Sequence, residues 1–382
     1  MDQTEGDLLK TIDTTMLTPL VCRVLNRAAA EVTDWQASEL YGGGITTKIL
    51  RFSGNALDGS KTHPWSLILK IIRPDGEEDN PESLRYWKRE ALAYQSGLLD
   101  KLPGKIRAPR CYEVIERPER EIWLWLEEIV DDAKGSWSLE QYGNVARHVG
   151  EFNGIFYENK PAFSHPWMIK NQLRVWLGDE APILPPDVLA HPLVNQIYPP
   201  DIYEWMQRVW SEHTNWLKIL DRQPKTLSHL DVFRRNAFAR RDTQGDLQTV
   251  LIDWAFVGGA TPGEEIAPLV AGSLNFLEFD STKAHELDQI VFNTYIEGLR
   301  SAGWNGDPRI VRFAYAVGSI LKFSIGVSGV AFMIADENQH ALLEKIFGHP
   351  INELVDAWGS TMRLLVKLSR EARELASQHR VI

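Results

Sequence analysis

The chain has 382 residues, is 44% hydrophobic and 24% charged, and carries a formal net charge of −11. That acidity argues against a nucleic-acid partner, because phosphate-backbone binding needs basic patches. Two cysteines, Cys22 and Cys111, are too few for a disulfide framework or a cysteine-rich metal site.

The first ten residues, MDQTEGDLLK, are acidic and lack an apolar signal core, so a cytoplasmic location is expected. Thr18-Pro19 reads as an N-cap and a first-turn proline, opening a helix to about Thr33. Then SELYGGGITTKILRFSG sets two extended runs around Gly42, Gly43 and Gly44, a hairpin with a glycine-rich tip. The run WSLILKIIRP reads as a strand buried on both faces, with Lys70 in its middle. A helix is predicted from about Glu82 to Leu99. RCYEVIE and EIWLWLEEI then form a second hairpin turning at Arg117-Pro118. From about Ser138 helical periods dominate, over 201–222, 283–302, 309–336 and 350–377. Two short strands, NAFARR and LQTVLID, interrupt them. The polar stretch VDDAKG places a boundary near residue 130, giving an antiparallel β domain over 1–130 and a mainly helical one over 131–382, an α+β chain.

One stretch raises the question of a membrane. Phe313–Ala335 carries a single charge, Lys322, and is long enough to span a bilayer. Its glycine, serine and alanine content predicts a buried core helix instead, so no membrane partner is expected.

The chemistry concentrates in LSHLDVFRRNAFARR and TVLIDWAFVGG. Asp231 is followed five residues later by Asn236, and Asp253 ends the second predicted strand. Pairing the two strands brings Asn236 toward Asp253: two hard oxygen donors with a second carboxylate beside them, a set suited to Mg²⁺. Lys70 in a buried strand needs a partner. An Asp, an Asn five residues on and a strand-borne Asp is the arrangement used in phosphoryl transfer.

The pattern H-x-D-x4-N followed by I-D-W resembles the aminoglycoside phosphotransferase and choline kinase families, relatives of protein kinases, over most of the chain. The resemblance implies a protein-kinase-like fold with two lobes. It implies Asp231 as catalytic base, Asn236 and Asp253 as metal ligands, Lys70 on the nucleotide phosphates and Glu90 as its partner. Gly42, Gly43 and Gly44 would cover the phosphates. The segment containing Glu127, Glu128 and Ile129 would join the lobes and receive the adenine on its backbone. The implied cofactors are ATP or GTP with Mg²⁺, and the acceptor is a small-molecule hydroxyl, on an amino sugar or amino alcohol for example. A cationic acceptor is compatible with the net charge. Leu230 stands where many relatives have glycine, and Trp254 where protein kinases have phenylalanine.

His229 is read as ordering the Asp231 loop. Glu264 and Glu265 follow Asp253 and could face a cationic substrate, but TPGE is also a capping box on Thr261, and Glu264 is read as part of that cap. The tryptophans at 167, 176, 205, 210 and 216 are read as core. Asp131, Asp132, Asp179 and Glu180 are the acidic candidates for contact with an acceptor. The alternative function is a nucleotide-binding pseudokinase acting as an interaction module.

Overall fold

The computed structural model describes residues 11–40, 47–74, 76, 79–118, 120–133, 135–325 and 328–379. Gly42, Gly43 and Gly44 lie outside the described residues. Two compact units form: Met1–Asn80 with Arg85–Lys101 and Ala108–Val130, and Pro81–Leu84 with Leu102–Arg107 and Asp131–Ile382.

In chain order the first elements are α1 (Thr14–Leu25), β1 (Glu31–Leu40), β2 (Thr47–Asp58), β3 (Lys61–Ile72) and α2 (Arg89–Gln95). The two-residue β4 (Ile106–Arg107), which belongs to the second unit, precedes β5 (Cys111–Arg117) and β6 (Glu121–Leu126). The first unit is one antiparallel sheet in the order β1-β2-β3-β6-β5. Leu67, Leu69 and Ile71 of β3 join Leu17, Leu20 and Val21 of α1 and Trp123 and Trp125 of β6 in one core. Because side chains alternate along a strand, Lys70 points to the other face, level with Ile49 of β2 and Leu124 of β6.

Two helix boundaries differ from the sequence reading. α1 begins five residues before Pro19, because Asp13 caps it by accepting from Met16 N at 2.9 Å. It ends at Leu25, where Asn26 turns left-handed at φ 52° and Arg27 N reaches Cys22 O at 2.9 Å. Glu31–Thr33 therefore belong to β1. α2 is only seven residues long. Residues 81–88 form turns instead. Trp87 Nε1 and Lys88 Nζ, each 2.6 Å from an Asp79 carboxylate oxygen, tie that segment down before the helix starts.

The main elements of the second unit are α3 (Leu139–Ile155), β7 (Ile169–Lys170), α4 (Gln172–Leu177), α5 (Pro200–Asp221), β8 (Thr226–Ser228), β9 (Ala237–Arg241), β10 (Leu247–Leu251) and β11 (Gly258–Ala260). They continue with α6 (Ala284–Ser301), α7 (Pro308–Ile320), α8 (Val330–Ala335) and α9 (Ile351–His379). α3 and α6 cross backbone to backbone. A Cβ on Gly150 would sit 2.2 Å from Tyr295 O, and one on Gly298 would sit 2.0 Å from Arg147 O. Two three-stranded sheets lie in this unit. β10 pairs parallel with β4 and antiparallel with β9; β11 pairs parallel with β7 and antiparallel with β8.

Among the described residues, the stretch long and apolar enough to cross a membrane is Pro308–Ala335, and three quarters (75%) of its apolar window is buried. It is not one regular helix: α7 widens into a π-helical turn, Leu321–Ile325, before α8. Lys322 sits in that turn, only 4% exposed.

Candidate active site

The β8 strand delivers the chain into His229, Leu230 and Asp231. Leu230 has φ 67°, a left-handed conformation that an L residue with a side chain adopts at a cost of about 1–2 kcal/mol. This explains in backbone terms why glycine would suit the position. Leucine stays because it packs with Ile169 and Ala260, and because its backbone is held from three sides. Its N–H donates to Glu265 Oε1 at 3.3 Å, and its carbonyl accepts from Lys322 Nζ at 3.0 Å and Gln172 Nε2 at 3.3 Å.

His229 has a defined tautomer. Asp231 N donates to its Nδ1 at 3.2 Å, so the ring proton is on Nε2, which donates to Ile252 O at 2.9 Å. The ring also meets Trp254 edge-on at 4.6 Å. His229 thus ties the Asp231 loop to the residue preceding Asp253.

Asp231 and Asn236 lie across a short loop. Asn236 Nδ2 donates to Asp231 Oδ2 at 2.9 Å and to Asp231 O at 3.0 Å. With the nitrogen so used, Oδ1 is the end able to ligate a cation. Ile252 N donates to Asn236 O at 2.9 Å, which brings Asn236 beside the approach to Asp253. β10 ends at Leu251, so Asp253 stands two residues beyond the strand, not at its last position, and is left-handed at φ 65°. Burial pushes the Asp231 carboxyl up to about 6, with Lys322 opposing and the charge of Asp253 adding to the rise.

Two further residues contact this cluster: Lys322, and Glu265, which the sequence offered only as a possible contact for a cationic substrate. Lys322 Nζ lies 3.6 Å from Asp231 Oδ1, and burial of the ammonium holds its pKa below the usual lysine value. Its signal was present as the single charge in an apolar run. Glu265 is 1% exposed and accepts from the His229 and Leu230 amides through Oε1 and from Asn153 Nδ2 through Oε2. Burial raises it to about 7 against these donors. Its neighbour Glu264 closes half of the expected cap, accepting from Thr261 N at 2.7 Å.

In the first unit Lys70 Nζ meets Glu90 Oε2 at 2.6 Å, both side chains nearly buried. Glu127 N donates to Arg110 O at 2.8 Å, and Arg110 N returns a bond to Glu127 Oε2 at 3.0 Å. Glu128 Oε1 holds Arg51 Nε at 2.7 Å. Both glutamate side chains are therefore engaged within the unit, and the Glu127 N–H is committed to Arg110.

Among the acidic candidates, Asp131 accepts from Ala133 N and Ala239 N and faces Arg234, while Asp132 accepts from Arg241 N. These bonds fix local backbone. Asp179 and Glu180 are exposed. Trp205 and Trp216 are core, whereas Trp176 lines a cavity beside Lys322. Among the described residues no group of three or more His, Cys, Asp or Glu side chains is placed as a metal cage. The donors present, a carboxylate and an amide oxygen, are hard and few, which fits Mg²⁺ completing its shell with phosphate oxygens.

No family model and no curated protein matches the chain by sequence. Among solved structures it is similar to a microcompartment-associated aminopropanol kinase, with 11% identity, 93% of this chain and 98% of that one covered, and a TM-score of 0.52. It is less similar to an amicoumacin kinase in complex with AMP-PNP and Ca²⁺, with 13% identity, coverage of 92% and 96%, and a TM-score of 0.45. An ethanolamine kinase from Plasmodium vivax gives 13% identity, coverage of 96% and 94%, and a TM-score of 0.45. At such identities the likeness speaks of architecture alone, and the chain has the protein-kinase-like fold, an antiparallel sheet unit followed by a larger, mostly helical one.

Proposed function

We propose that the chain transfers the γ-phosphoryl group of ATP or GTP to a hydroxyl of a small molecule. The observation that carries this reading is the Asp231 loop. A largely buried carboxylate is held at a left-handed turn, bonded to Asn236, and close enough to Asp253 to feel its charge. Such an arrangement is costly to fold, and phosphoryl transfer is the chemistry that uses all three groups.

In this reading Asn236 Oδ1 and the Asp253 carboxylate hold Mg²⁺, which when bound neutralises phosphate charge. Lys70, kept in place by Glu90, adds a cation to the phosphates. The backbone of Glu128 and Ile129 receives the adenine, since the Glu127 N–H is already used. Asp231 orients the acceptor hydroxyl and takes its proton as the new O–P bond forms and the bond to the leaving diphosphate breaks. A carboxyl near 6 is still mostly ionised at neutral pH and is a stronger base than a free aspartate.

The test is ADP release with Mg²⁺ and a panel of hydroxyl compounds, for the wild type and for Asp231→Asn. Turnover of one acceptor, with kcat lowered by about 10²–10⁴-fold in the variant and KM for ATP little changed, is the expected result. A loss below about threefold removes Asp231 from the mechanism. Binding of MgATP without turnover of any acceptor favours an interaction module.

A further inference from the structure

A cavity of about 200 Å³ opens inside the second unit, next to the candidate base. Its wall includes Lys322, whose ammonium is 3.6 Å from Asp231, and Phe233, two residues along the same loop. Any molecule filling it lies one side chain away from the Asp231 carboxylate. An engineered apolar cavity of about 150 Å³ suffices to bind benzene, so this one accommodates a ring-sized body.

The wall is apolar and aromatic, with Trp176, Phe276, Phe347 and Trp358 among its rings. Its polar members are two neutral side chains, Tyr198 and Asn275, and one cation, Lys322; the described lining contains no carboxylate. Aromatic walls can also bind an ammonium guest, so the ring faces decide the matter. Here the faces nearest the base already hold cations of the protein itself. Lys322 Nζ lies 5.2 Å from the Trp176 centroid and 5.6 Å from that of Phe233. Arg235 lies 3.6 Å over Phe276, whose ring stacks on Phe347 at 5.1 Å. Trp358 meets Phe347 edge-on at 5.1 Å and donates its indole N–H to Asn275 O at 2.9 Å. A cationic guest would add a second positive charge beside Lys322, with no counter-charge in the wall.

We infer that the phosphate acceptor is a neutral alcohol with an apolar, ring-bearing body that seats in this cavity and presents its hydroxyl toward Asp231. The inference rests on the kinase reading for the fate of the hydroxyl, but the binding preference stands on the cavity alone. An amino sugar or amino alcohol, compatible with the net charge of −11, finds no carboxylate for its ammonium in the described lining, whose side-chain acceptors, such as Asn275 Oδ1, are neutral.

Alcohols with and without an ammonium test it on the full chain, 3-phenylpropan-1-ol and phenylalaninol being a pair that differs by one amine alone. 3-Phenylpropan-1-ol, 2-cyclohexylethanol and 2-(2-naphthyl)ethanol are compared with phenylalaninol, glucosamine and choline. Binding is measured by ligand-observed NMR without nucleotide, and ADP release is measured separately with MgATP. At least one neutral ring alcohol should bind about tenfold more tightly than phenylalaninol, the scale set by one unpaired charge. Val330, a half-buried wall residue in the first turn of α8, accepts an acidic side chain at a helix start. Val330→Asp should therefore fold, weaken the neutral alcohol about tenfold and narrow or invert the preference over phenylalaninol. Tighter binding of the cationic compounds by the wild type, or no saturable binding of any neutral alcohol, overturns the inference. Neutral binding that Val330→Asp leaves unchanged places the ligand elsewhere and overturns it as well. Neutral binding without ADP release from any compound leaves the cavity preference standing and counts against the kinase reading instead.

Discussion

Lys322 Nζ stands 3.6 Å from Asp231 Oδ1 and donates to the Leu230 carbonyl at 3.0 Å, so one buried ammonium supports both the carboxylate and the turn that carries it. The lysine comes from a π-helical turn far along the chain, where the wider backbone spacing interrupts the regular helix. Removing it leaves the largely buried Asp231 without its cation. Lys322→Met should destabilise the fold by about 3–5 kcal/mol, the range for breaking a buried pair. Asp231→Asn in the Lys322→Met background should recover part of that loss, because the amide needs no counter-charge. Denaturant unfolding of the two single variants and the double variant gives the coupling. Independent, additive losses would mean that the two groups do not form a pair in solution.

Leu230 sets two costs against each other. Its φ of 67° favours glycine, while its burial at 2% exposure favours leucine. Leu230→Ala loses the packing and keeps the strain; Leu230→Gly loses slightly more packing but relieves about 1–2 kcal/mol of strain. The glycine variant should therefore be the more stable of the two, by about 1 kcal/mol, the reverse of the order at most buried positions. Equilibrium unfolding of both decides it. An alanine variant as stable as the glycine one would mean that the turn relaxes out of the left-handed region.

How far the sequence discloses this site follows from the range of each interaction. Asp231 and Asn236 are five residues apart, and a short loop is enough to join them, so the spacing itself carries the information. Lys70 announces itself because a lysine amid WSLILKII has to be accounted for, although α2 proves much shorter than the apolar pattern suggested. The roles of Glu265 and Lys322 escape because their partners are distant in sequence, and neither helical period nor turn chemistry encodes which way such side chains point. The start of α1 was misplaced for a local reason. Proline is tolerated in its second turn, and the true cap, Asp13, looked like any acidic residue in a polar segment.

Glu265 makes stability depend on pH with a definite sign. Its folded-state pKa, about 7, lies above the ordinary carboxyl value of 4.5, so the folded chain holds the proton more tightly than the unfolded one. That contribution is fully present below about 4.5 and is lost as pH rises through about 7. Relative to Glu265→Gln, which cannot titrate, the wild type should lose stability across that window, by about 3 kcal/mol at most, and level off above it. Urea midpoints of both proteins at matched pH values measure the difference. A difference that is flat with pH, or that rises with it, would show that the donors from His229, Leu230 and Asn153 outweigh burial and keep Glu265 ionised throughout.

The metal assignment needs a substitution that removes the Asp253 carboxylate without disturbing its backbone. Alanine keeps the strain that Asp253 already carries at φ 65° and loses the short polar side chain that helps aspartate tolerate this region. Glycine adopts this conformation freely, so Asp253→Gly removes the carboxylate without adding strain. The fold should persist, because Asn236 and His229 still hold the neighbouring Ile252 through its N–H and carbonyl. What should vanish is the part of the ATP-induced thermal shift that depends on Mg²⁺. At a nucleotide concentration about a hundredfold above Kd, binding stabilises the native state by about 2.7 kcal/mol, a shift large enough to read. Thermal unfolding with ATP alone, Mg²⁺ alone and both together, for wild type and variant, isolates the metal-dependent component. If Asp253→Gly keeps that component at full size, the cation is held elsewhere and Asp253 has another role. If the variant loses it while binding ATP alone as the wild type does, the carboxylate is the metal's ligand and not merely a charge near the phosphates.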